Sequence, residues 1–413
     1  MGKKLVIIGG GAAGFFCGIN AAAANPDLQV TILEKTGKLL SKVRVSGGGR
    51  CNVTHHCFEI DELVRRYPRG KNFLKKAFHW FGTADTVRWF ESRGVPLKTE
   101  ADGRMFPQSN TSESIVECLV REANLHHVDI LLNCNITSLR PQNNGFLLVS
   151  TDGRSFQADY VCIACGGFPK SEQFNWLRAF GHTVEEPVPS LFTFNIPDDP
   201  VTALMGVTVE NAIVKVGGTK LQEQGPVLIT HWGLSGPAVL RVSAWGARVL
   251  ASLNYHFEIT VNWLAERDEH LVRQQWLSAR NALAAQQVAT KNPFGLPARL
   301  WEHLLSKADI GHPKRWAETS SAEQQRMLRL LTSCPFAVKG KTTFRDEFVT
   351  CGGISLQEIS PGTMESRKVP GLYFAGEVMD VDGITGGFNF QHAWTSGWIA
   401  ARAISAAAAA SSE

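Results

Sequence analysis

The sequence predicts an α/β protein: a parallel sheet wrapped by helices and assembled from both ends of the chain, with a β-rich stretch and a helical stretch inserted between them. Three observations carry this expectation. The first 35 residues alternate a short apolar run, an Ala-rich helical run and a second apolar run. The same strand-and-glycine style returns after residue 345. Between them the pattern becomes strand-like over about 190–262, then helical and polar over about 264–333. At 413 residues, 44% hydrophobic and 19% charged, the chain is long enough for two or three domains and is not a disordered one.

Taken in order, Leu5–Ile8 is a continuous apolar run, as a strand buried on both faces requires. Ala12–Ala24 is helical by propensity, Asn25-Pro26-Asp27 stops it, and Gln29–Leu33 gives a second strand ending at Glu34. Such a βαβ unit crosses over with a right hand. Glu59 to Arg93 reads as mostly helical, with a break at Pro68-Arg69-Gly70. Ser112–Leu125 predicts another helix, with Asn110 and Glu113 as a variant capping box. Val128–Leu132, Phe146–Ser150 and Tyr160–Ala164 read as strands, with turn signals at Asn143-Asn144-Gly145 and Asp152-Gly153. Pro187, Pro189 and Pro197 mark the change of character, after which Val209–Val216 and Tyr255–Val261 alternate as strands. Gly371–Ala375 is a short apolar strand and Phe388–Ile404 a closing helix. The expected domains are 1–190 with 345–413 (α/β), 191–262 with 334–344 (β-rich) and 263–333 (helical).

Composition narrows the function classes. Lys plus Arg number 42 against 38 Asp plus Glu, and a net charge of +4 is too mild to argue for nucleic acid. The 9 cysteines are odd in number and scattered, which suits reduced thiols and a cytoplasmic location. Met-Gly-Lys-Lys leads directly into a strand without the pattern of a signal peptide, and no uncharged run is apolar enough for a membrane span. Cys51, His55, His56 and Cys57 have no second pair at ligand spacing, so no metal is expected.

Gly9-Gly10-Gly11-Ala12-Ala13-Gly14 contains the G-x-G-x-x-G pattern between a strand and a helix. Gly9 allows the tight turn, Gly11 lets backbone approach a pyrophosphate, and Gly14 lets the helix pack on the sheet. The helix start, with Ala12 and Ala13, turns free N–H groups toward phosphate. Glu34 lies 20 residues beyond Gly14, next to Lys35, where a carboxylate accepts from ribose hydroxyls and repels a 2′-phosphate. The dinucleotide is therefore FAD or NAD. The rest of the chain selects FAD. Gly371–Glu377 is a strand ending in Gly376-Glu377, an acid suited to the ribityl and pyrophosphate of an extended flavin. Gly386-Gly387-Phe388-Asn389 opens the closing helix, whose dipole suits the flavin N1–C2=O edge, and a side chain at Gly386 or Gly387 would crowd that edge. Ala164-Cys165-Gly166 ends a strand where chain and cofactor approach closely. Ser46-Gly47-Gly48-Gly49-Arg50-Cys51-Asn52 supplies backbone N–H groups and polar side chains, and Ile136 completes the candidate contacts.

These motifs resemble the glutathione-reductase-type FAD proteins. Ser46–Thr54, Thr230–Pro237 and Val378–Asn389 are more specific, and with them the chain resembles, over nearly its whole length, the BaiN/RdsA-type family of NAD(P)/FAD-dependent oxidoreductases. The resemblance implies a Rossmann-like FAD domain, an inserted flattened β-barrel domain and a helical domain within it. Proteins of that type have been assigned bile-acid-pathway reduction and aminoacetone oxidation, so it implies the cofactor more than the substrate. Lys38–Val45 is longer than the resemblance leads one to expect.

Competing readings are weaker. Cys51 and Cys57 are spaced by five residues, against four in redox dithiols of this region. Cys162 and Cys165 point to opposite faces of a strand and read as structural. His231 and Ser235 lack a nucleophile elbow, leaving a substrate-facing or a loop-capping role. The basic stretch Arg65, Arg66, Arg69, Lys71, Lys75 and Lys76 is a solvated face or an attractor of anions. The leading expectation is an FAD oxidoreductase acting by hydride transfer on a small molecule entering between the FAD domain and the insert, with NAD(P)H as one source of electrons. A flavin-dependent amine oxidase using dioxygen, an FAD-containing RNA-modifying protein and a flavin-binding protein without turnover are the alternatives. RNA has no aromatic–basic recognition motif behind it.

Overall fold

The structure is a computed structural model describing residues 2–142, 145–265, 267–343 and 349–411. The Asn143-Asn144 turn signal and the 344/345 domain boundary lie outside the described residues. The chain divides into two compact units, 1–189 with 345–413, and 190–344.

In the first unit, strand β1 (Lys4–Ile8) leads into helix α1 (Ala12–Ala24) and returns as β2 (Gln29–Leu33). Helix α2 (Ser41–Gly49), β3 (Asp129–Leu131), β4 (Tyr160–Ile163), β5 (Leu372–Phe374) and helix α3 (Phe388–Ala410) complete the frame. The sheet order is β5-β4-β1-β2-β3, and every pairing is parallel. Leu5, Ile7 and Ile32 are wholly buried, as a sheet covered on both faces demands. Helices α1 and α3 lie against each other at Gly397, where a Cβ would sit 2.7 Å from Ala13 O.

In the second unit seven strands form one antiparallel sheet ordered 334–339, 256–262, 208–216, 222–229, 233–235, 193–195, 341–342. Its two end strands are consecutive pieces of one segment, Cys334–Lys339 and Lys341–Thr342. Between them Gly340 donates to Tyr255 O on one side and accepts from Asn195 N on the other. The sheet therefore curls round on itself, which keeps its edges paired. Helices Glu269–Ala282, Ala298–Lys307 and Ser321–Thr332 share the strands' core through Trp276, Trp301, Leu304 and Leu328. The last of them starts on a reciprocal cap, Ser320 Oγ to Glu323 N at 3.2 Å and Ser320 N to Glu323 Oε2 at 2.8 Å.

Two local expectations are corrected. The helix at Glu113–Leu125 takes Ser112 as its N-cap and has no side-chain cap. Asn110 is a left-handed turn residue (φ 57°), and Glu113 pairs instead with Arg44. Lys38–Val45, read as extra connection, contains the first turns of α2. Half of the basic stretch is paired: Arg65 with Glu62, Arg69 with Asp382 and Lys75 with Asp61.

Candidate functional site

The glycine turn between β1 and α1 is built as its spacing demands. A Cβ on Gly14 would lie 2.0 Å from Gly9 O, and one on Gly9 would lie 2.4 Å from Ala164 O. Gly11 has no atom within 4 Å of where its Cβ would be, leaving open space beside Ala12, Ala13 and the start of α1. Glu34, at the end of β2, reaches back to the same turn. Its Oε2 accepts from Gly10 N at 2.8 Å, and its Oε1 accepts from Thr36 N at 2.8 Å and Thr36 Oγ1 at 2.9 Å. Lys35 beside it is exposed. Ile136 is buried on the strand that starts just past Cys134, whose N donates to Glu34 O at 2.8 Å.

The Ser46–Asn52 segment ends α2. Gly47, Gly48 and Gly49 all take left-handed φ (60°, 69° and 83°), a succession that L side chains resist and that turns consecutive N–H groups to one side. Gly48 and Gly49, like Gly166 after β4, have nothing within 4 Å of a Cβ position. Arg50 pairs with Glu100 at 2.5 Å and lies over the Phe106 ring at 4.0 Å, so its guanidinium is spent on this scaffold. All nine cysteines are free; burial pushes the Cys51 and Cys165 thiols up to about 12, the opposite of an activated thiolate.

Glu377 follows Gly376 after β5. Its Oε2 pairs with Lys42 Nζ of α2 at 2.6 Å, and its Oε1 accepts from Thr350 N at 2.8 Å. The Gly376 peptide groups are gripped by α3: Gly376 N donates to Ser396 Oγ at 2.9 Å, and His392 Nε2 lies 3.2 Å from Gly376 O. Burial lowers His392 to about 4, so the imidazole is neutral and donates that bond.

Helix α3 begins at Gly387, and its first intrahelical bond runs from Gln391 N to Gly387 O at 2.9 Å. The amides of Phe388, Asn389 and Phe390 therefore have no acceptor within the helix. With its amide oriented to satisfy both partners, Asn52 donates to Thr54 O and accepts from Gly387 N, each at 3.0 Å. Protein atoms alone already call for glycine here, beside the expectation of a crowded flavin edge. A Cβ on Gly387 would meet Thr54 O at 2.6 Å, and one on Gly386 would meet the Phe388 ring at 2.8 Å, both atoms of the protein. Asn389 is also committed within the chain: its side chain accepts from Gly383 N at 2.8 Å and donates to Gly383 O at 3.0 Å.

The structure thus gathers the Gly9–Gly14 turn, Glu34, Ser46–Asn52, Ala164–Gly166, Gly376-Glu377 and the Gly386–Asn389 turn within one unit. Gly376 sits against Ala13, Gly167 against Glu377, and Gly387 against Asn52. Lys42, His55, Thr350, His392 and Ser396 also hold this assembly, and apart from His55, weighed only within a candidate metal cluster, no local motif marked them. His231 and Ser235 belong to the second unit and to other partners. Ser235 Oγ bonds Thr193 Oγ1 at 2.9 Å, while the His231 ring lies against Trp232 at 4.5 Å. Among the described residues no group of three His, Cys, Asp or Glu is placed to hold a metal, and no helix is long and apolar enough to cross a membrane.

Open spaces beside Gly11, Gly48, Gly49 and Gly166, an acid at the end of β2 and a helix N-terminus at the far end fit an extended dinucleotide such as FAD. Comparison with known proteins agrees on the fold. The 3-ketosteroid delta1-dehydrogenase of Sterolibacterium denitrificans superposes with a TM-score of 0.51 at 13% identity, covering 98% of this chain and 99% of that one. A flavocytochrome c3 fumarate reductase gives 0.50 at 15% identity, covering 98% and 79%. In sequence, the 3-dehydro-bile acid delta(4,6)-reductase of Clostridium scindens is 30% identical over 97% of this chain and 98% of its own length. The ribosomal RNA dihydrouridine synthase of Escherichia coli is 32% identical over the same shares. Residues 3–403 match the family described as HI0933-like protein Rossmann domain, and the chain belongs to that family.

Proposed function

We propose that this chain is an FAD-dependent oxidoreductase that reduces a carbon–carbon double bond conjugated to a carbonyl in a small organic molecule, drawing electrons from NADH or NADPH. The observations that carry the cofactor are the free space beside Gly11, Gly48, Gly49 and Gly166, the Glu34 carboxylate at the end of β2, and the amides at the start of α3 that have no acceptor within the helix. The reaction class is supported by two relatives: a delta(4,6)-reductase of a 3-dehydro-bile acid and a dihydrouridine synthase both name saturation of a double bond next to a carbonyl system. When bound, FAD supplies the two-electron chemistry.

The chain's own residues bind and orient. Glu34 accepts from the ribose hydroxyls, the amides around Gly11 and Gly48-Gly49 take the pyrophosphate, and Glu377 serves the ribityl chain. The amides of Phe388, Asn389 and Phe390 hold positive potential where negative charge develops on reduction. The flavin is held without a covalent bond, so acid-denatured protein releases all of it to the supernatant.

The test is anaerobic. The yellow protein is mixed with NADH or NADPH, and bleaching of the flavin is followed. The reduced protein is then offered conjugated enones. Bleaching by a nicotinamide and reoxidation by an enone are expected; reduction only by an amine, or no reduction at all, sinks the proposal. A second reading, with a uridine of ribosomal RNA as the unsaturated carbonyl compound, is favoured by the Escherichia coli relative's name and by the exposed Arg66, Lys71 and Lys76. Reoxidation by ribosomal RNA and not by free enones decides for it.

A further inference from the structure

We propose that His55 is a positioning residue for the flavin end of the site: it fixes the Gly386–Gly387 peptide and thereby aims the free amides of α3 at the cofactor. The proposal rests on the FAD reading above. His55 lies on the short strand Thr54–His55, whose register with Met105 and Arg104 sets the ring's direction. Its Nδ1 lies 3.1 Å from Gly386 O, and its ring stacks on Phe388 with centroids 4.7 Å apart and planes at 29°. The same peptide is held from its other side, where Gly387 N donates to Asn52 Oδ1 at 3.0 Å.

That peptide needs outside support. Gly386 and Gly387 have φ of 131° and 93°, conformations that neither helix nor strand propagates. It immediately precedes the amides of Phe388, Asn389 and Phe390, so its plane sets the direction of the first turn of a 23-residue helix. Burial lowers the His55 pKa, which keeps the ring neutral with one proton, and the carbonyl partner places that proton on Nδ1. Asn52 and His55 therefore divide the work: one takes the N–H and the other the C=O of a single peptide. A rotated peptide would leave FAD bound through its distant adenosine while misdirecting the amides that favour the reduced form.

The experiment uses the FAD-loaded protein and two variants. His55→Phe keeps a ring on Phe388 and removes the donor. His55→Asn puts an amide N–H where Nδ1 was. Dissociation constants for oxidised FAD and the flavin midpoint potential are measured for each. His55→Phe is expected to weaken binding of reduced relative to oxidised flavin about fivefold, a fall of roughly 20 mV for a two-electron couple. His55→Asn is expected to restore most of it. A His55→Phe potential equal to the wild type's, even with weaker FAD binding, means that the residue is merely structural and overturns the proposal. So does a His55→Asn potential as low as that of His55→Phe. Protein that takes up no FAD in wild-type form overturns the cofactor reading itself, a different outcome from either.

Discussion

Replacing Glu34 by alanine removes the one carboxylate that spans the glycine turn and the end of β2. In the structure it accepts three hydrogen bonds, from Gly10 N, Thr36 N and Thr36 Oγ1, at 2.8, 2.8 and 2.9 Å. Two effects follow, and they separate experimentally. Without cofactor, the buried Gly10 N–H loses its acceptor, which costs about 1–3 kcal/mol of folding stability. With cofactor, the adenosine ribose loses bonds to a charged acceptor, worth about 1.5–3 kcal/mol, so the FAD dissociation constant rises on the order of 10- to 150-fold. Denaturant unfolding of cofactor-free protein reads the first effect, and a fluorescence titration of FAD reads the second. Glu34→Gln keeps one acceptor oxygen and is expected to fall between the two. A Glu34→Ala protein that is less stable yet binds FAD with an unchanged constant would refute the reasoning: the carboxylate would then serve the turn alone and the adenosine would lie elsewhere.

Three further outcomes are expected. Arg69→Ala leaves Asp382, wholly buried, without its guanidinium, and should cost about 3–5 kcal/mol in denaturant unfolding; a loss below about 1 kcal/mol contradicts the pairing. Gly387→Val should destabilise cofactor-free protein by roughly 2–4 kcal/mol, because of positive φ and the collision with Thr54 O. A penalty seen only when FAD is present would return the glycine's role to the flavin edge. His392, ordinarily near 6.5, is lowered to about 4 by burial, so between pH 6.5 and 4 the unfolded chain binds more protons than the folded one. Stability is then full above pH 6.5 and falls by roughly 3 kcal/mol as pH drops to 4. His55, His182 and His303 are lowered by burial too and act in the same direction. His392→Gln should show a shallower fall over that window, and an unchanged slope contradicts the assignment.

The parallel sheet and both inserted styles were legible because each leaves a local mark. Leu5–Ile8, Ala12–Ala24 and Gln29–Leu33 coincide with β1, α1 and β2 to within a residue. The glycine pattern and Glu34 were legible for the same reason. Backbone geometry, a helix N-terminus and the end of a strand are properties of a few consecutive residues, so a short run can specify them. Asn110 and Glu113 show where this fails. The spacing suits a cap, but Arg44, 69 residues earlier in the chain, takes the carboxylate.

What held the pieces together had no local mark. Lys42 meets Glu377 across 335 residues, and Tyr67 reaches Phe388 O across 321. A side chain at Gly387 would meet Thr54, and the Asn389 side chain bonds Gly383. Closure of the seven-stranded sheet at Gly340 depends on Tyr255 and Asn195 arriving on its two sides. The backbone elements and the chemistry of each motif follow from short-range sterics and hydrogen-bond periodicity, which the order of residues encodes directly. The partner of each side chain follows from which distant segments the hydrophobic core brings within 3 Å, and only the folded chain chooses those.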